Sequence, residues 1–198
     1  MIQEHLLYLF GAEKLFYPKG EQIFNEEQQA ISYYQIAKGE VKMNNFNDDG
    51  KEFIQGIFLK GQSFGEPPLF AEVKYPANAE ALTDCEILRL NKDRFLELLK
   101  EHPEEHLKIT AALAKRLYYK AIMASELSSQ EPEHRILRIL DYLKDHVHNL
   151  KEPFSFELDL TRQQIADLTG LRVETVIRAT KSLEKKGELK IKSRKLFR

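Results

Sequence analysis

Residues 161–183 read TRQQIADLTGLRVETVIRATKSL, and this stretch decides the fold of the C-terminal part of the chain. Thr161 followed by Gln164 is a capping box, which predicts the start of a short helix. Gly170 predicts the tight turn that ends this helix, because glycine enters the left-handed backbone region at no steric cost. A second helix is predicted from about Arg172. Two helices joined by so short a turn indicate a helix-turn-helix.

The second helix has two faces of opposite character. Side chains at i, i+3, i+4 and i+7 form one stripe that we predict to be buried, namely Val176, Ala179, Thr180 and Leu183. The opposite stripe has the same spacing and consists of Glu174, Ile177, Arg178 and Lys181. Because arginine can donate two hydrogen bonds to guanine and glutamate can accept one from cytosine, this stripe is suited to the major groove of DNA. A solvated amphipathic helix would explain the charges, but not the capped helix and glycine turn ahead of them.

Ile177 is the one member of this stripe without a hydrogen-bonding group. Its side chain either packs on a thymine methyl group or completes the core of the domain. The alternation of residues 188–197 then predicts a β-wing whose cations lie along the phosphate backbone.

Charge is distributed unevenly along the chain. The net charge is -1, but residues 161–198 hold 11 Lys and Arg against 4 Asp and Glu. An acidic body with a basic end is expected where one module meets phosphate, although a solvated basic tail would give the same balance. No apolar run reaches the roughly 18–20 residues that span a bilayer, and the N-terminus lacks the features of a signal peptide. With the single cysteine, Cys85, these features predict a cytoplasmic protein that does not contact membranes.

Residues 14–91 are predicted to be β-structure, because short apolar or β-branched runs alternate with turns. The predicted strands are Ser32–Ala37, Val41–Phe46, Phe53–Leu59 and Glu86–Leu90, and the turns are Lys19-Gly20, Lys38-Gly39, Asp49-Gly50 and Lys60-Gly61. Many short strands at close spacing indicate a sandwich or barrel. The chain is therefore predicted to be an α+β protein with an N-terminal β-domain.

A long helix is predicted between the two parts. Asn91 or Asp93 can cap a helix at Arg94–Glu101, and Pro103 can open a helix that reaches about Ser128. A heptad seam of mostly small residues runs along it: Leu107, Thr110, Ala114, Leu117, Ala121, Ala124 and Ser128. Small seam residues let two helices approach closely, so we predict a homodimer; packing of this helix on its own barrel is the alternative. A hinge at 128–132 and a further helix at about Glu133–Val147 follow.

Several segments together resemble the cyclic AMP receptor protein / fumarate–nitrate regulator family of bacterial transcription factors. In chain order they are Tyr17-Pro18-Lys19-Gly20, Tyr33-Tyr34-Gln35-Ile36-Ala37-Lys38-Gly39, Phe64-Gly65-Glu66 with Leu69-Phe70, Ala114-Lys115-Arg116-Leu117, Thr161-Arg162-Gln163 and Val173-Glu174-Thr175-Val176. The resemblance covers nearly the whole chain. It implies a β-roll (jelly roll) of the cyclic-nucleotide-binding type at 1–100, a dimerisation helix and hinge at 101–130, and a winged helix-turn-helix at 131–198.

The resemblance also implies partners and contacts. The protein is expected to bind double-stranded DNA as a homodimer at two-fold symmetric promoter sites, and to touch RNA polymerase through the loop at about Val147–Pro153. In this family the residues matching Glu174 and Arg178 contact a G·C pair, whereas Val173 replaces a further arginine of the cyclic AMP receptor. The complete set of expected DNA contacts is Thr161, Arg162, Arg172, Val173, Glu174, Thr175, Ile177, Arg178, Lys181, Lys190, Lys192 and Arg194.

The expected effector pocket departs from the family pattern at both ends. Family members that bind cyclic AMP use a Gly-Glu pair for the ribose and an Arg-Ser or Arg-Thr pair for the phosphate. Gly65 and Glu66 are kept here, but Pro76 and Ala77 replace the phosphate-binding pair. At the adenine end, a polar pair is replaced by Lys120 and Ala121.

The sequence is compatible with three functions to different degrees. The first is a transcription regulator that needs no effector or senses an unidentified small molecule, with control by a cyclic nucleotide or other ligand in the β-roll as the alternative. The second is a ligand-binding β-roll with a vestigial DNA module, which the basic wing and Arg178 argue against. The third, an enzyme on a metal-binding barrel, needs histidine ligands, and the β-region has none. We therefore expect no catalysis, no metal and no cofactor.

Overall fold

The computed structural model describes residues 1–127, 131–148, 150–193 and 195–198. Two units make up the chain, Met1–Lys115 and Arg116–Arg198, and the 25-residue helix α4 (Pro103–Leu127) contributes residues to both. The finer division at residues 100 and 130 stays a prediction. Within the described ranges, no helix is both long enough and apolar enough to cross a membrane.

Two four-stranded antiparallel sheets form the body of the first unit. Its strands are β1 (Glu13–Tyr17), β2 (Gln22–Phe24), β3 (Ser32–Lys38), β4 (Glu40–Phe46), β5 (Glu52–Leu59), β6 (Ser63–Phe64), β7 (Asn78–Ala81) and β8 (Cys85–Asn91). One sheet has the order β1-β8-β3-β6 and the other the order β2-β7-β4-β5. The predicted roll of short strands is thus confirmed, and each of the four predicted strands is one or two residues longer than expected.

Both faces of the central strands β3 and β8 are buried. Successive side chains of a strand point to opposite faces, so Tyr34 and Ile87 face the second sheet, where they pack with Phe24. Tyr33 and Leu88 lie on the other face, in a separate apolar cluster with four helices. These helices are α1 (Glu4–Leu9), α2 (Pro67–Ala71), α3 (Lys92–Glu101) and the start of α4.

The cap of α3 settles one of the alternatives left by the sequence. Asn91 Oδ1 accepts a hydrogen bond from the backbone N–H of Asp93 at 2.8 Å, so Asn91 is the cap. The helix begins at Lys92, two residues before the predicted Arg94. A second short helix, α2 (Pro67–Ala71), follows β6 and was not predicted.

The second unit contains helices that pack around a small three-stranded sheet. Its remaining elements are α5 (Pro132–Tyr142), a π-helical turn (Leu143–Val147), β9 (Glu157–Leu158), α6 (Arg162–Thr169), α7 (Val173–Lys185), β10 (Lys190–Lys192) and β11 (Lys195–Phe197). The single helix predicted for 133–147 was wrong in its last turn, which widens to the π form. The sheet has the order β10-β11-β9, so the predicted two-stranded wing gains a third strand. Of the predicted hinge, residues 128–130 lie outside the described ranges.

Candidate DNA-recognition surface

The helix α6 is fixed at its start by the capping box that the sequence predicts. The hydroxyl oxygen of Thr161 accepts a hydrogen bond from the backbone N–H of Gln164 at 3.1 Å, and the Gln164 side chain accepts one from the Thr161 N–H at 2.8 Å. Two N–H groups that would otherwise lack partners are thereby satisfied. Arg162 follows and is half-buried. Burial lowers the pKa of its guanidinium group, but arginine stays cationic at neutral pH.

The turn between α6 and α7 depends on Gly170. Its φ is 68°, in the left-handed region, and its N–H donates to the carbonyl oxygen of Ala166. Leu171 donates to the same carbonyl at 3.1 Å, which turns the chain toward α7. A side chain at Gly170 would meet no neighbour but would strain the backbone. The turn is therefore set by backbone conformation rather than by packing.

The helix α7 is anchored by the stripe that the sequence predicted to be buried. Val176, Ala179, Thr180 and Leu183 are all buried in the core of the second unit. The one polar member, Thr180, donates its hydroxyl to the Val176 carbonyl at 2.9 Å, so it carries no unsatisfied group. Because one face is held in the core, the orientation of the opposite face is fixed as well.

The opposite stripe of α7 is open to solvent. Glu174, Ile177, Arg178 and Lys181 are all exposed. The described part of the chain supplies no ion pair or hydrogen bond to the charged side chains among them. Since Glu174 and Arg178 are one turn apart on a helix, they project side by side. The stripe thus presents an acceptor, a bidentate donor and a further cation that are not engaged with the protein itself.

The expected DNA contacts at the start of α7 lie in different environments. Arg172 is exposed at the N-cap position but makes no side-chain capping bond. Val173 is partly buried and packs against the core of the unit, and Thr175 is half-buried. Arg172 is therefore available to a ligand, whereas Val173 contributes to packing.

The wing, which follows α7 in the chain, carries a second group of cations. Lys190 and Lys192 are exposed on β10, and the ammonium nitrogen of Lys190 lies 3.9 Å from the centre of the Phe154 ring. The described residues offer no ion-pair partner for Lys192. By contrast, Lys195 on β11 pairs with Glu157 and with Asp159. Arg194, which the sequence also predicts as a contact, lies outside the described residues.

Three contacts of the wing lysines were not predicted from the sequence, one made by Lys190 and two by Lys195. Phe154 has a positive φ of 56° and supplies the ring under Lys190. Glu157 and Asp159 neutralise part of the basic wing, because β9 pairs with β11. The acidic residues just before Thr161 could have indicated that some wing cations are paired. The strand pairing that brings them to Lys195 joins distant parts of the chain, so the sequence alone does not show it.

In the first unit, the expected effector residues lie against a cluster of packed aromatic rings. Gly65 has a φ of 75°, and a side chain there would come within 3.1 Å of the Phe24 ring and 3.3 Å of the Tyr75 ring. These two rings stack with their centres 3.8 Å apart. Burial raises the pKa of Tyr75, whose hydroxyl donates to the Ser32 carbonyl at 3.2 Å. The space next to Gly65 is thus occupied by protein side chains.

Glu66 is fully buried and already accepts a hydrogen bond from the hydroxyl of Ser63. Pro76 is exposed, and its carbonyl oxygen accepts from the Asn45 amide at 2.7 Å, whereas Ala77 is buried. Ser63 was not anticipated, since a serine three residues before a glutamate has no distinctive pattern. The two remaining residues of the expected pocket, Lys120 and Ala121, are exposed on α4.

No cation is available along the segment that carries Pro76. The sequence has no lysine or arginine between Lys74 and Arg89. Lys74 pairs with Glu27 at 3.3 Å, and Arg89 pairs with Glu13 at 2.8 Å. Both flanking cations are thus matched with a carboxylate. Among the described residues, no group of three or more His, Cys, Asp or Glu side chains could hold a metal ion.

The heptad seam of α4 is exposed along its described length. Its members Leu107, Thr110, Ala114, Leu117, Ala121 and Ala124 are all open to solvent. Leu107 and Leu117 are each 70% exposed, which is unusual for leucine. On the other side of the helix, Ile109 is buried in the core of the first unit. The alternative in which the seam packs on the chain's own barrel is therefore wrong.

Comparison with known proteins gives consistent matches over most of the chain. Residues 14–102 match the cyclic nucleotide-binding domain, and residues 134–197 match the Crp-like helix-turn-helix domain. The cAMP-activated global transcriptional regulator CRP of Haemophilus influenzae is 31% identical over 169 residues, which cover 85% of this chain and 75% of that protein. The similar regulator Vfr of Pseudomonas aeruginosa is 29% identical over 80% of this chain and 76% of its own length.

Solved structures give the same picture. The c-di-GMP responsive global regulator CLP of Xanthomonas campestris aligns with a TM-score of 0.80 at 25% identity, covering 98% of both chains. FixK2 from Bradyrhizobium japonicum aligns with a TM-score of 0.78, also at 25% identity, covering 94% of this chain and 91% of that chain.

Proposed function

The chain belongs to the CRP/FNR family of DNA-binding transcription regulators, and from that premise we propose that it binds two-fold symmetric operators as a homodimer without a cyclic nucleotide. The observation that carries the proposal is the exposed stripe of α7. Glu174, Arg178 and Lys181 are unpaired within the described chain, while the opposite face of the helix is locked in the core. A rigid helix with uncommitted donors and acceptors suits the major groove. We propose that it acts in the cytoplasm.

The division of labour on the DNA follows from the chemistry of the two groups of residues. On α7, Glu174 and Arg178 have the acceptor and the bidentate donor that distinguish base pairs. On the wing, Lys190 and Lys192 are point charges that neutralise phosphates of any sequence. Thr161 and Arg162, at the start of α6, add contacts to the DNA phosphates near the N-terminus of that helix. We therefore assign sequence reading to α7 and affinity to the wing.

The exposed seam of α4 supports the homodimer. From Leu107 to Ala124 it runs for about 26 Å along the helix axis. A second copy of the same helix would cover the two leucines, and the small residues between them would let the backbones approach closely. Two protomers related by such a seam would present two α7 helices, which matches an operator of two half-sites.

Three features of the first unit support independence from cyclic nucleotides. Aromatic rings lie against Gly65. The carboxylate of Glu66 already accepts a hydrogen bond from the Ser63 hydroxyl. Pro76 offers neither an N–H nor a charge to a phosphate. A buried anion without a cationic partner is strongly unfavourable. We also retain the family expectation that the loop near residues 147–153 meets RNA polymerase.

The second candidate is a regulator controlled by a cyclic nucleotide, because three of the four relatives named above, CRP, Vfr and CLP, are described as cAMP-activated or c-di-GMP responsive. Titration calorimetry separates the two candidates. With cyclic AMP or cyclic GMP, we expect no heat of binding in the micromolar range, because the phosphate would have no cationic partner. A titration of the same sample with operator DNA is the control for active protein. A one-site isotherm with either nucleotide would favour the second candidate.

The DNA-binding part of the proposal is tested by selection from a random duplex pool with the purified protein and no added ligand. We expect enrichment of a two-fold symmetric motif whose half-sites are centred about one helical turn apart, since one α7 enters the groove at each half-site. Enrichment of no motif, or of a single unpaired half-site, would contradict the proposal.

A further inference from the structure

We infer that Ile177 is a specificity-determining residue that recognises the 5-methyl group of a pyrimidine, normally thymine, in each half-site. The inference rests on the proposed function, because it concerns the same face of α7. It assigns to this position a readout that neither Glu174 nor Arg178 can perform.

The exposure of Ile177 is the first observation. Its side chain is 39% exposed, and it is not part of the core cluster formed by Val176, Ala179 and Leu183. The alternative in which Ile177 completes the domain core is therefore wrong. Within the described residues after 130, Ile177 is the one large apolar side chain that is exposed to this degree.

Its position is the second observation. Single exposed apolar residues are common on protein surfaces and by themselves need no explanation. Ile177, however, stands three residues after Glu174 and directly before Arg178, in the middle of the unpaired polar stripe. A side chain chosen only for solvation would be polar here, as its neighbours on the stripe are.

The stiffness of isoleucine is the third consideration. A β-branched side chain in a helix has essentially one χ1 rotamer, and the buried face of α7 fixes the helix under it. The Cγ2 methyl group and the Cγ1 atom of Ile177 are therefore held in one direction before any ligand binds, and only the terminal methyl group turns about χ2. An apolar contact made by such a side chain loses little conformational entropy.

The chemistry of the groove identifies the ligand group. Among the base edges in the major groove, the apolar group is the thymine 5-methyl, and the other exposed groups are hydrogen-bond donors or acceptors. Ile177 lies about 4.5 Å along the helix axis from Glu174, close to the roughly 3.4 Å spacing of stacked bases. The recognised methyl group should thus lie about one step from the base pair that Glu174 contacts.

The test uses the intact protein and the operator obtained by selection, with each thymine of a half-site replaced in turn by deoxyuridine. This change removes the methyl group and leaves every hydrogen-bonding atom in place. We expect one position per half-site at which the affinity falls about 4-fold, and about 15-fold when both half-sites are changed. The single change corresponds to about 0.8 kcal/mol, the contribution of one buried methyl-sized group. At that position, 5-methylcytosine should bind more tightly than cytosine.

Variants connect the effect to Ile177. Ile177→Ala should bind the thymine and deoxyuridine operators equally, whereas Ile177→Val should keep part of the discrimination. Lys181→Ala, on the same exposed stripe, is the matched control and should lower affinity without changing the thymine-to-deoxyuridine ratio. Sequence-selective binding with no thymine position sensitive to deoxyuridine, or an unchanged ratio in Ile177→Ala, would overturn the inference and leave the proposed function standing. Absence of selective DNA binding would overturn both.

Discussion

Replacing Ala114 with glutamate should convert the protein into a monomer that binds its operator about 10²–10⁴-fold more weakly. In the proposed dimer the two copies of α4 meet along a seam of small residues, and residue 114 faces its counterpart. A carboxylate there would meet a like charge in an interface with no room for water. Because Ala114 is exposed in the single chain, the substitution should not disturb the fold of the protomer.

Binding becomes weaker because the two protomers, which bind the two half-sites together as a dimer, are separated in the variant. A dimer binds the second half-site at a high effective concentration, whereas a monomer binds each half-site independently. Light scattering measures the mass, and a binding titration with the intact operator measures the affinity. Ala121→Glu should have the same effect farther along the seam.

Lys115→Glu is the matched control for this experiment. Lys115 is also exposed on α4, but it follows Ala114 directly and therefore points about 100° around the helix from it, away from the seam. The variant carries the same new carboxylate and should remain a dimer. If Ala114→Glu and Ala121→Glu keep the mass of the parent protein, the dimer interface lies elsewhere.

Arg178→Ala should cost about 1–3 kcal/mol per half-site and should weaken the preference for one guanine in each half-site. The guanidinium of Arg178 has no partner in the described chain, so its donors are available to guanine O6 and N7. Removing them takes away the interaction that distinguishes guanine from the other bases at that position. Operators with single-base changes should therefore differ less in affinity for the variant than for the parent protein.

Lys192→Ala provides the contrast, because it should weaken all operators alike. A lysine that neutralises a phosphate carries no sequence information, but it makes binding depend on salt. The slope of log K against log salt should become shallower by about 1 for each phosphate that a subunit of the variant no longer neutralises. The measurement is a set of titrations with single-base operator variants at two salt concentrations. If Arg178→Ala weakens every variant equally, Arg178 binds a phosphate and α7 does not read that base.

The features that sequence predicted well are those that local chemistry controls. The capping box of Thr161 and Gln164 and the turn at Gly170 each depend on residues within one turn of a helix, so their spacing alone identifies them. The two faces of α7 follow from the helical period, and its predicted inward stripe is buried. The same holds for the seam of α4, whose regular spacing is visible in the sequence by itself.

The features that sequence did not predict depend on pairing between distant segments. Strand β9 has two residues and exists because Leu158 and Glu157 pair with Leu196 and Phe197. The ion pairs of Lys195 follow from that pairing, so the basic wing is less charged than its composition indicates. The π-helical turn after α5 has no distinct sequence signal either.

The effector region shows the same division between local and distant information. The sequence shows that Pro76 and Ala77 replace a phosphate-binding pair. It does not show that aromatic rings occupy the space next to Gly65. That filling arises where Phe24 and Tyr75, 51 residues apart, stack beside Gly65. Such packing depends on the closure of the two sheets over each other.

The most direct measurement is the ratio of dissociation constants for a scrambled duplex and the selected operator, at one salt concentration and without any nucleotide. If α7 reads bases and the protein is a dimer, we expect a ratio of at least about 10³. This value is the lower end of the range by which specific binding exceeds non-specific binding. A ratio within a few-fold of unity, or selectivity that appears only after cyclic AMP is added, would contradict an effector-independent, sequence-specific regulator.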